Sequence, residues 1–143
     1  MKRFHSSLDS LLRIREREEE IEKRRMQLAQ RKCQMEEGIL HELEAEVQKV
    51  EGSFRGQRPS SSQYLEYSLY LEKMRERIFH QKDRILKEQN QLTKERERWK
   101  EKRKEKKVVQ KLREKQYVLW KREKEKREQD MLDDLFREKK ERI

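Results

Sequence analysis

The stretch GSFRGQRPSSSQ, residues 52–63, decides the fold, because a long helical pattern must stop there and start again. It holds two of the three glycines and the only proline of the 143-residue chain. Glycine and proline are the strongest breakers of a helix. We therefore predict that the helix before this stretch and the helix after it fold back on each other as a hairpin.

Apolar residues recur every seven positions on both sides of this breaker. A first repeat precedes it and a second follows it: Ile14, Ile21, Leu28 and Met35, then Tyr64, Leu71, Ile78, Ile85, Leu92 and Trp99. A seven-residue repeat keeps one side of a helix facing one partner helix, as in coiled coils. The predicted fold is all-α, an antiparallel two-helix coiled-coil hairpin with a longer, projecting second helix.

Helix boundaries follow from capping patterns. Ser6 precedes Asp9, and Ser60 precedes Gln63, at the three-residue spacing of a capping box. Beyond Gly38 the apolar spacing changes, which predicts a local irregularity in the supercoil. The expected bounds are 6–51 for helix one, 52–62 for the loop and 63–140 for helix two, in a single coiled-coil domain of residues 1–143.

Folding the two repeats about a turn near residue 57 predicts which residues face each other. The predicted pairs are Met35 with Ile78, Leu28 with Ile85, Ile21 with Leu92, Ile14 with Trp99, and Phe4 with Val109. Beyond about Leu112, helix two is expected to have no partner in its own chain, which leaves an overhang of about 30 residues, or about 45 Å. Near the end of the overhang lies an apolar cluster of Met131, Leu132, Leu135 and Phe136.

The composition excludes several classes of protein. Charged residues make up 49% of the chain and hydrophobic residues 31%, which is too little apolar material for a layered globular core. No apolar run is long enough to cross a bilayer or to act as a signal peptide. Cys33 is the only cysteine and has no partner for an internal disulfide. These features favour a cytoplasmic location.

The positive charge is concentrated in one stretch. Residues 1–51 hold 11 basic and 12 acidic side chains, whereas residues 94–127 hold 17 basic and 7 acidic, a net charge of +10. Like charges four residues apart, such as Lys100 and Lys104, each destabilise a helix by about 0.2–0.5 kcal/mol. We therefore expect this stretch to meet an anionic surface. Trp99 continues the second repeat and is expected to pack, whereas Trp120 lies in the expected overhang and is a candidate partner contact.

No motif in the chain indicates catalysis. The histidines His5, His41 and His80 stand at no metal-ligand spacing, and the chain has neither a glycine-rich phosphate loop nor a Ser–His–Asp set. We expect no enzymatic activity, no cofactor and no bound metal. The basic run at residues 100–107 leaves a nucleic-acid-binding or generic scaffold protein as an alternative, although aromatic residues are not interleaved there as a stacking platform.

Several segments resemble a known family, the flagellar FliJ proteins, together with the similar YscO-type stalk proteins of injectisomes. They are FHSSLDSLLRIREREEE at residues 4–20, YLEYSLYLEKM at 64–74, Arg98 with Trp99, and LDDLFREKK at 132–140. The position of the loop and the longer second helix also agree with this family. The sequence leaves a YscO-type injectisome stalk protein as the alternative to a flagellar one.

The resemblance implies a coiled-coil stalk that inserts into and activates a hexameric export ATPase ring, contacts the cytoplasmic domain of the export gate, and escorts export chaperones. It implies a cytoplasmic protein held at the inner-membrane export apparatus only through its partners, with no nucleic acid among them. By the same resemblance, the gate and chaperone patch contains Tyr67, Leu71 and Met74. The segments implied to bind the ATPase ring contain Leu11, Leu12, Arg13, Trp120, Met131, Leu132, Leu135 and Phe136.

Overall fold

Two long helices make up the protein in a computed structural model that describes residues 3–142. Helix α1 spans Asp9–Phe54, 46 residues, and helix α2 spans Ser61–Glu141, 81 residues. The two helices pack against each other, and no strand occurs among the described residues. The all-α helical hairpin is therefore confirmed.

A glycine in a left-handed conformation ends α1. Gly56 has φ +83°, a backbone region that residues with a Cβ rarely adopt. The other glycine of this stretch, Gly52, lies within the last turn of α1, which therefore runs three residues past the expected end at position 51. A helical glycine costs only about 1 kcal/mol against alanine, so Gly52 weakens the helix without stopping it.

Helix α2 begins with the capping box that its sequence indicates. The Gln63 backbone N–H donates to Ser60 Oγ at 3.3 Å, and the Ser60 N–H donates to Gln63 Oε1 at 3.0 Å. These reciprocal bonds satisfy two backbone donors that the first turn of a helix leaves without partners.

Only part of the expected capping box forms before α1. The Ser6 N–H donates to the Asp9 carboxylate at 3.3 Å, whereas Ser6 Oγ accepts from the Leu8 N–H at 3.1 Å rather than from Asp9. Residues 7 and 8 consequently form a turn, and α1 begins at Asp9 rather than near residue 6.

The helical pair divides into two compact units, which are described separately. The loop unit is residues 22–99, and the terminal unit is residues 1–21 with 100–143, of which 3–21 and 100–142 are described. In the loop unit, Phe54 contacts Tyr67 while Lys32 contacts Glu88. In the terminal unit, Glu18 contacts Lys102 while Asp9 contacts Arg113. In both units, higher positions on α2 meet lower positions on α1, so the helix segments are antiparallel.

The seam of the loop unit has a buried cluster of Ala29, Cys33 and Leu92, with Met26 packed against it. Ten of the fourteen less exposed positions of α1 in this unit recur at alternating intervals of three and four residues. They are Glu22, Met26, Ala29, Cys33, Glu36, Leu40, Leu43, Val47, Val50 and Phe54. The matching positions of α2 include Leu71, Ile78, Ile85, Leu92 and Trp99 of the second repeat. The second repeat therefore faces α1, apart from the exposed Tyr64.

The first repeat, in contrast, does not form the seam, and its predicted packing is wrong. Ile14 and Ile21 are each 51% exposed, Leu28 is 62% exposed and Met35 is 69% exposed. The true seam lies beside it and contains smaller or polar side chains, such as Ala29, Cys33 and Glu36. Since the seam keeps a regular spacing through Leu40 and Leu43, the irregularity expected after Gly38 is also wrong.

The predicted register is wrong by seven to nine residues, about two helical turns. Lys32 contacts Glu88 at 3.4 Å, whereas the predicted register placed residue 32 opposite residue 81. Leu92 likewise packs with Ala29 and Cys33 rather than with Ile21. Most of the shift arises because the chain turns nearer residue 60 than residue 57, and the rest because the first repeat was taken as the packed face of α1.

Charged side chains replace apolar ones at the seam of the terminal unit. Arg15 contacts Glu18 at 3.1 Å and Glu105 at 3.3 Å, and Lys102 contacts the same two carboxylates at 3.5 and 3.4 Å. The adjacent Arg15 guanidinium holds the pKa of Glu18 below its usual value, and the carboxylate of Glu105 raises the pKa of Lys102. Ion pairs thus link α1 to α2 beside the buried Val109 in this unit.

The burial pattern predicts unequal effects for substitutions of Ile21 and Leu92. The predicted pairing of these two residues would have made the two substitutions equally destabilising. Leu92→Asp places a charge in the buried cluster and should lower the free energy of unfolding by about 3 kcal/mol. Ile21→Asp replaces an exposed side chain and should change it by less than about 0.5 kcal/mol. Urea denaturation followed by circular dichroism measures both. Equal destabilisation by the two variants would contradict the seam.

Candidate protein-interaction surfaces

An aromatic cluster lies at the start of the chain within the terminal unit. The Phe4 ring meets Tyr117 edge-on, with centroids 5.2 Å apart, and lies 5.5 Å from the Trp120 centroid. The Arg113 guanidinium lies 5.4 Å from the centre of the Phe4 ring, within range of a cation–π contact. Phe4 thus contacts residues 113–120 rather than Val109, which corrects the predicted pairing.

Polar contacts also fix the beginning of the chain, at Ser6 and Asp9, to α2. The Arg113 guanidinium donates to the Asp9 carboxylate at 2.6 Å, and Ser6 Oγ contacts Gln116 Oε1. The hydrogen bond from Arg113 holds the pKa of the Asp9 carboxyl below its usual value. These contacts show that α2 has an internal partner as far as Trp120, and the expectation that pairing ends near Leu112 is wrong. In the sequence, Phe4, an aromatic residue before the first helix, is the feature that could have predicted these contacts.

Beyond Trp120, α2 continues for about six more turns to Glu141. Almost all side chains of residues 121–142 are exposed, including the four apolar residues of the C-terminal patch, defined as Met131, Leu132, Leu135 and Phe136. Leu132, Leu135 and Phe136 line a shallow open concavity together with Lys139. The structure brings these side chains together on one exposed helix segment.

The other residues implied to bind an ATPase ring differ in exposure. Leu11 and Leu12 are half-buried, and Leu12 lies at a seam position, whereas Arg13 is exposed. Trp120 is half-buried beside Phe4 and Tyr117, so it belongs to the terminal aromatic cluster.

Part of the basic stretch is used inside the protein. Lys102 pairs with Glu18, Lys106 with Glu19 at 3.5 Å, and Arg113 with Asp9. These cations neutralise carboxylates of α1 and are not exposed as a continuous basic surface. The remaining basic side chains of this stretch, such as Lys104, Lys111 and Lys115, are exposed.

The three residues implied to bind the export gate lie on the seam side of α2. Tyr67 stacks on Phe54, with ring centroids 4.2 Å apart and planes 15° from parallel. Leu71 is half-buried, and Met74 is only 2% exposed. Leu65 and Leu69 are the exposed apolar neighbours of this group. Tyr67 and Leu71 therefore keep exposed surface that can meet a partner, whereas Met74 is buried.

Residues 3–142 hold no group of three or more His, Cys, Asp or Glu side chains arranged to bind a metal ion. Within the same residues, neither helix contains a segment long and apolar enough to cross a membrane. The candidate sites are thus exposed apolar and charged surfaces on a helical pair.

These features define a helical-hairpin interaction protein. The profile of the flagellar FliJ protein family matches residues 4–139, and the chain belongs to this family. It is accordingly a component of the flagellar type III export apparatus, and the members of this family are non-enzymatic. No curated protein sequence and no solved structure matches the chain.

Acidification should loosen the terminal aromatic cluster. Because the pKa of Asp9 is lowered in the folded protein, its pairing with Arg113 stabilises the fold fully above the ordinary aspartate range. That contribution is lost as the pH falls through the lowered pKa, below about 4. The protection factors of residues 6–12, which compare the observed exchange rate with the intrinsic rate at the same pH, should therefore fall at low pH. The Asp9→Asn variant should exchange faster already at neutral pH, and equal protection in both proteins would contradict this coupling.

Proposed function

We propose that the protein is a stalk that inserts into the ring of the flagellar export ATPase and activates it. The C-terminal patch carries this proposal. Four large apolar side chains are exposed on one short helix segment, and none of them is buried by α1. An exposed apolar patch with a polar rim is typical of a protein-interaction site.

The basic and the apolar side chains of this part of α2 suit a partner contact in different ways. Exposed basic side chains on the preceding part of α2 would accelerate encounter with an acidic surface, and the apolar side chains would slow dissociation once bound. The terminal aromatic cluster supports this arrangement, since it anchors α2 to the beginning of the chain just before the exposed segment.

The loop end of the helical pair is proposed to contact the export gate and the chaperones. Tyr67 and Leu71 lie near the loop, and the stacking of Tyr67 on Phe54 fixes the ring in one orientation. A fixed aromatic side chain loses little conformational entropy when it binds. We further propose that the protein is cytoplasmic and reaches the membrane only through these partners.

Removing the C-terminal patch should nearly abolish ATPase activation. The Leu132→Ser, Leu135→Ser and Phe136→Ser triple variant should stimulate ATP hydrolysis by the purified export ATPase at least about tenfold less than the wild type, since losing a single hot-spot contact of about 2 kcal/mol already weakens binding about thirtyfold. The replaced side chains are exposed, so helicity should not change.

A matched control is available within the terminal unit. Val108→Ser with Leu119→Ser removes apolar side chains of similar exposure from α2 and should leave stimulation unchanged. Full stimulation by the triple variant would place the ring contact elsewhere, on residues 11–17 of α1.

Binding of the gate should depend on the loop end alone. Tyr67→Ala should weaken binding to the purified cytoplasmic domain of the export gate by about tenfold, while ATPase stimulation remains. Leu86→Ala removes an exposed apolar side chain of α2 farther from the loop and serves as the control. Isothermal titration calorimetry measures both, and equal losses in the two variants would argue against a gate contact at Tyr67.

A further inference from the structure

The exposed part of the first repeat forms a distinct surface on α1 of the loop unit. Seven residues between positions 22 and 39 lie within about 60° of Leu28 around the helix axis, at 3.6 residues per turn. They are Arg24, Arg25, Leu28, Arg31, Lys32, Met35 and Ile39, and all seven are exposed. We name this surface the outer face of α1.

The outer face combines apolar and positively charged side chains and contains no acidic one. Leu28 and Met35 are seven residues apart. Arg24 and Arg31 are also seven residues apart, and Leu28 lies between them in the chain. Arg24, Gln27, Leu28 and Arg31 line a shallow concavity of about 190 Å³. Arg25 and Lys32 each reach a carboxylate, on Glu22 and Glu88, but their side chains stay 57% and 65% exposed.

The outer face is separate from the seam, from the C-terminal patch and from the region around Tyr67, so none of them explains its apolar and basic side chains. The seam of α1 passes through Ala29 and Cys33, roughly 100–140° away around the helix. An apolar repeat at seven-residue intervals matches the periodicity of a second helix packed along α1. The arginines beside it favour a negatively charged partner and disfavour a second copy of the same face, because like charges would then be brought together.

We propose that the outer face of α1 binds an acidic partner helix that carries apolar residues at seven-residue intervals. The apolar residues of that helix pack between Leu28 and Met35, and its carboxylates pair with Arg24 and Arg31. The planar guanidinium of arginine suits this pairing, since it binds a carboxylate through two parallel hydrogen bonds. This surface is separate from the C-terminal patch and from Tyr67.

Synthetic peptides test the proposal with the full-length protein. The acidic peptide has about three heptads, with leucine at one position of each heptad and glutamate at the positions beside it. A second peptide replaces glutamate by lysine, and a third scrambles the acidic sequence. Fluorescence anisotropy should show that the acidic heptad peptide binds at least about tenfold more tightly than the other two, and that its affinity falls as salt increases.

Paired variants separate this face from the rest of the surface. Arg24→Glu with Arg31→Glu, and separately Leu28→Ser with Met35→Ser, should each weaken binding of the acidic peptide by about tenfold. The matched controls lie on exposed positions of α2 at the same seven-residue spacing, namely Arg75→Glu with Lys82→Glu, and Phe79→Ser with Leu86→Ser. The controls should bind the peptide as the wild type does, and thermal unfolding should confirm that every variant stays folded.

Three results would overturn the proposal. The first is no binding of the acidic heptad peptide to the wild type, and the second is equal loss of binding in the control variants. The third is a dimer in sedimentation equilibrium that the Leu28→Ser and Met35→Ser variant dissociates, which would assign this face to self-association.

Discussion

The packing of small α1 side chains against large α2 side chains is the constraint on which the loop unit depends. Ala29 and Cys33 leave room for Leu92, and the three form a buried cluster with Met26 beside them. In knobs-into-holes packing, each large side chain needs a hole of matching size on the facing helix. This fit sets the rotation of α1, and the rotation in turn decides which of its side chains face solvent.

The seam is only partly apolar, and this affects how the protein is held together. Glu95 and Gln81 are buried in the loop unit, and one Glu95 oxygen has no hydrogen-bond partner among the described residues. In the terminal unit, Arg15, Glu18, Lys102 and Glu105 form a network of ion pairs. Partly exposed ion pairs contribute little stability each, so aromatic and polar contacts of Phe4 and Asp9 with α2 matter for the terminal unit.

The candidate interaction surfaces lie on different segments of the two helices. The C-terminal patch, the region around Tyr67 and the outer face of α1 share no residue, so each is able to serve a separate partner. Under the function proposed above, this division would let one chain contact the ATPase ring and the export gate through different residues. Because the seam buries few of the large apolar side chains, many of them stay exposed on these surfaces.

The sequence by itself determined the helical hairpin, the position of its loop, the capping box at Ser60 and Gln63, and the α2 side of the seam. Breakers, caps and a single apolar repeat on α2 are local signals that need no knowledge of the partner helix. The C-terminal patch was also predictable, because its four apolar residues are close together in the chain.

Only the tertiary structure decided which face of α1 is buried. Helix α1 carries a regular apolar repeat at Leu28 and Met35 and a less apolar one at Ala29 and Cys33, and both satisfy the same periodicity. The first has the larger apolar side chains but alternates with Arg25 and Lys32, whereas the second continues through Met26 and Leu40. The packing of Leu92 against Ala29 and Cys33 selects the second. The register, and with it the pairing of Phe4 with Trp120, was also decided only by the tertiary structure, because offsets of one heptad satisfy the same apolar periodicity.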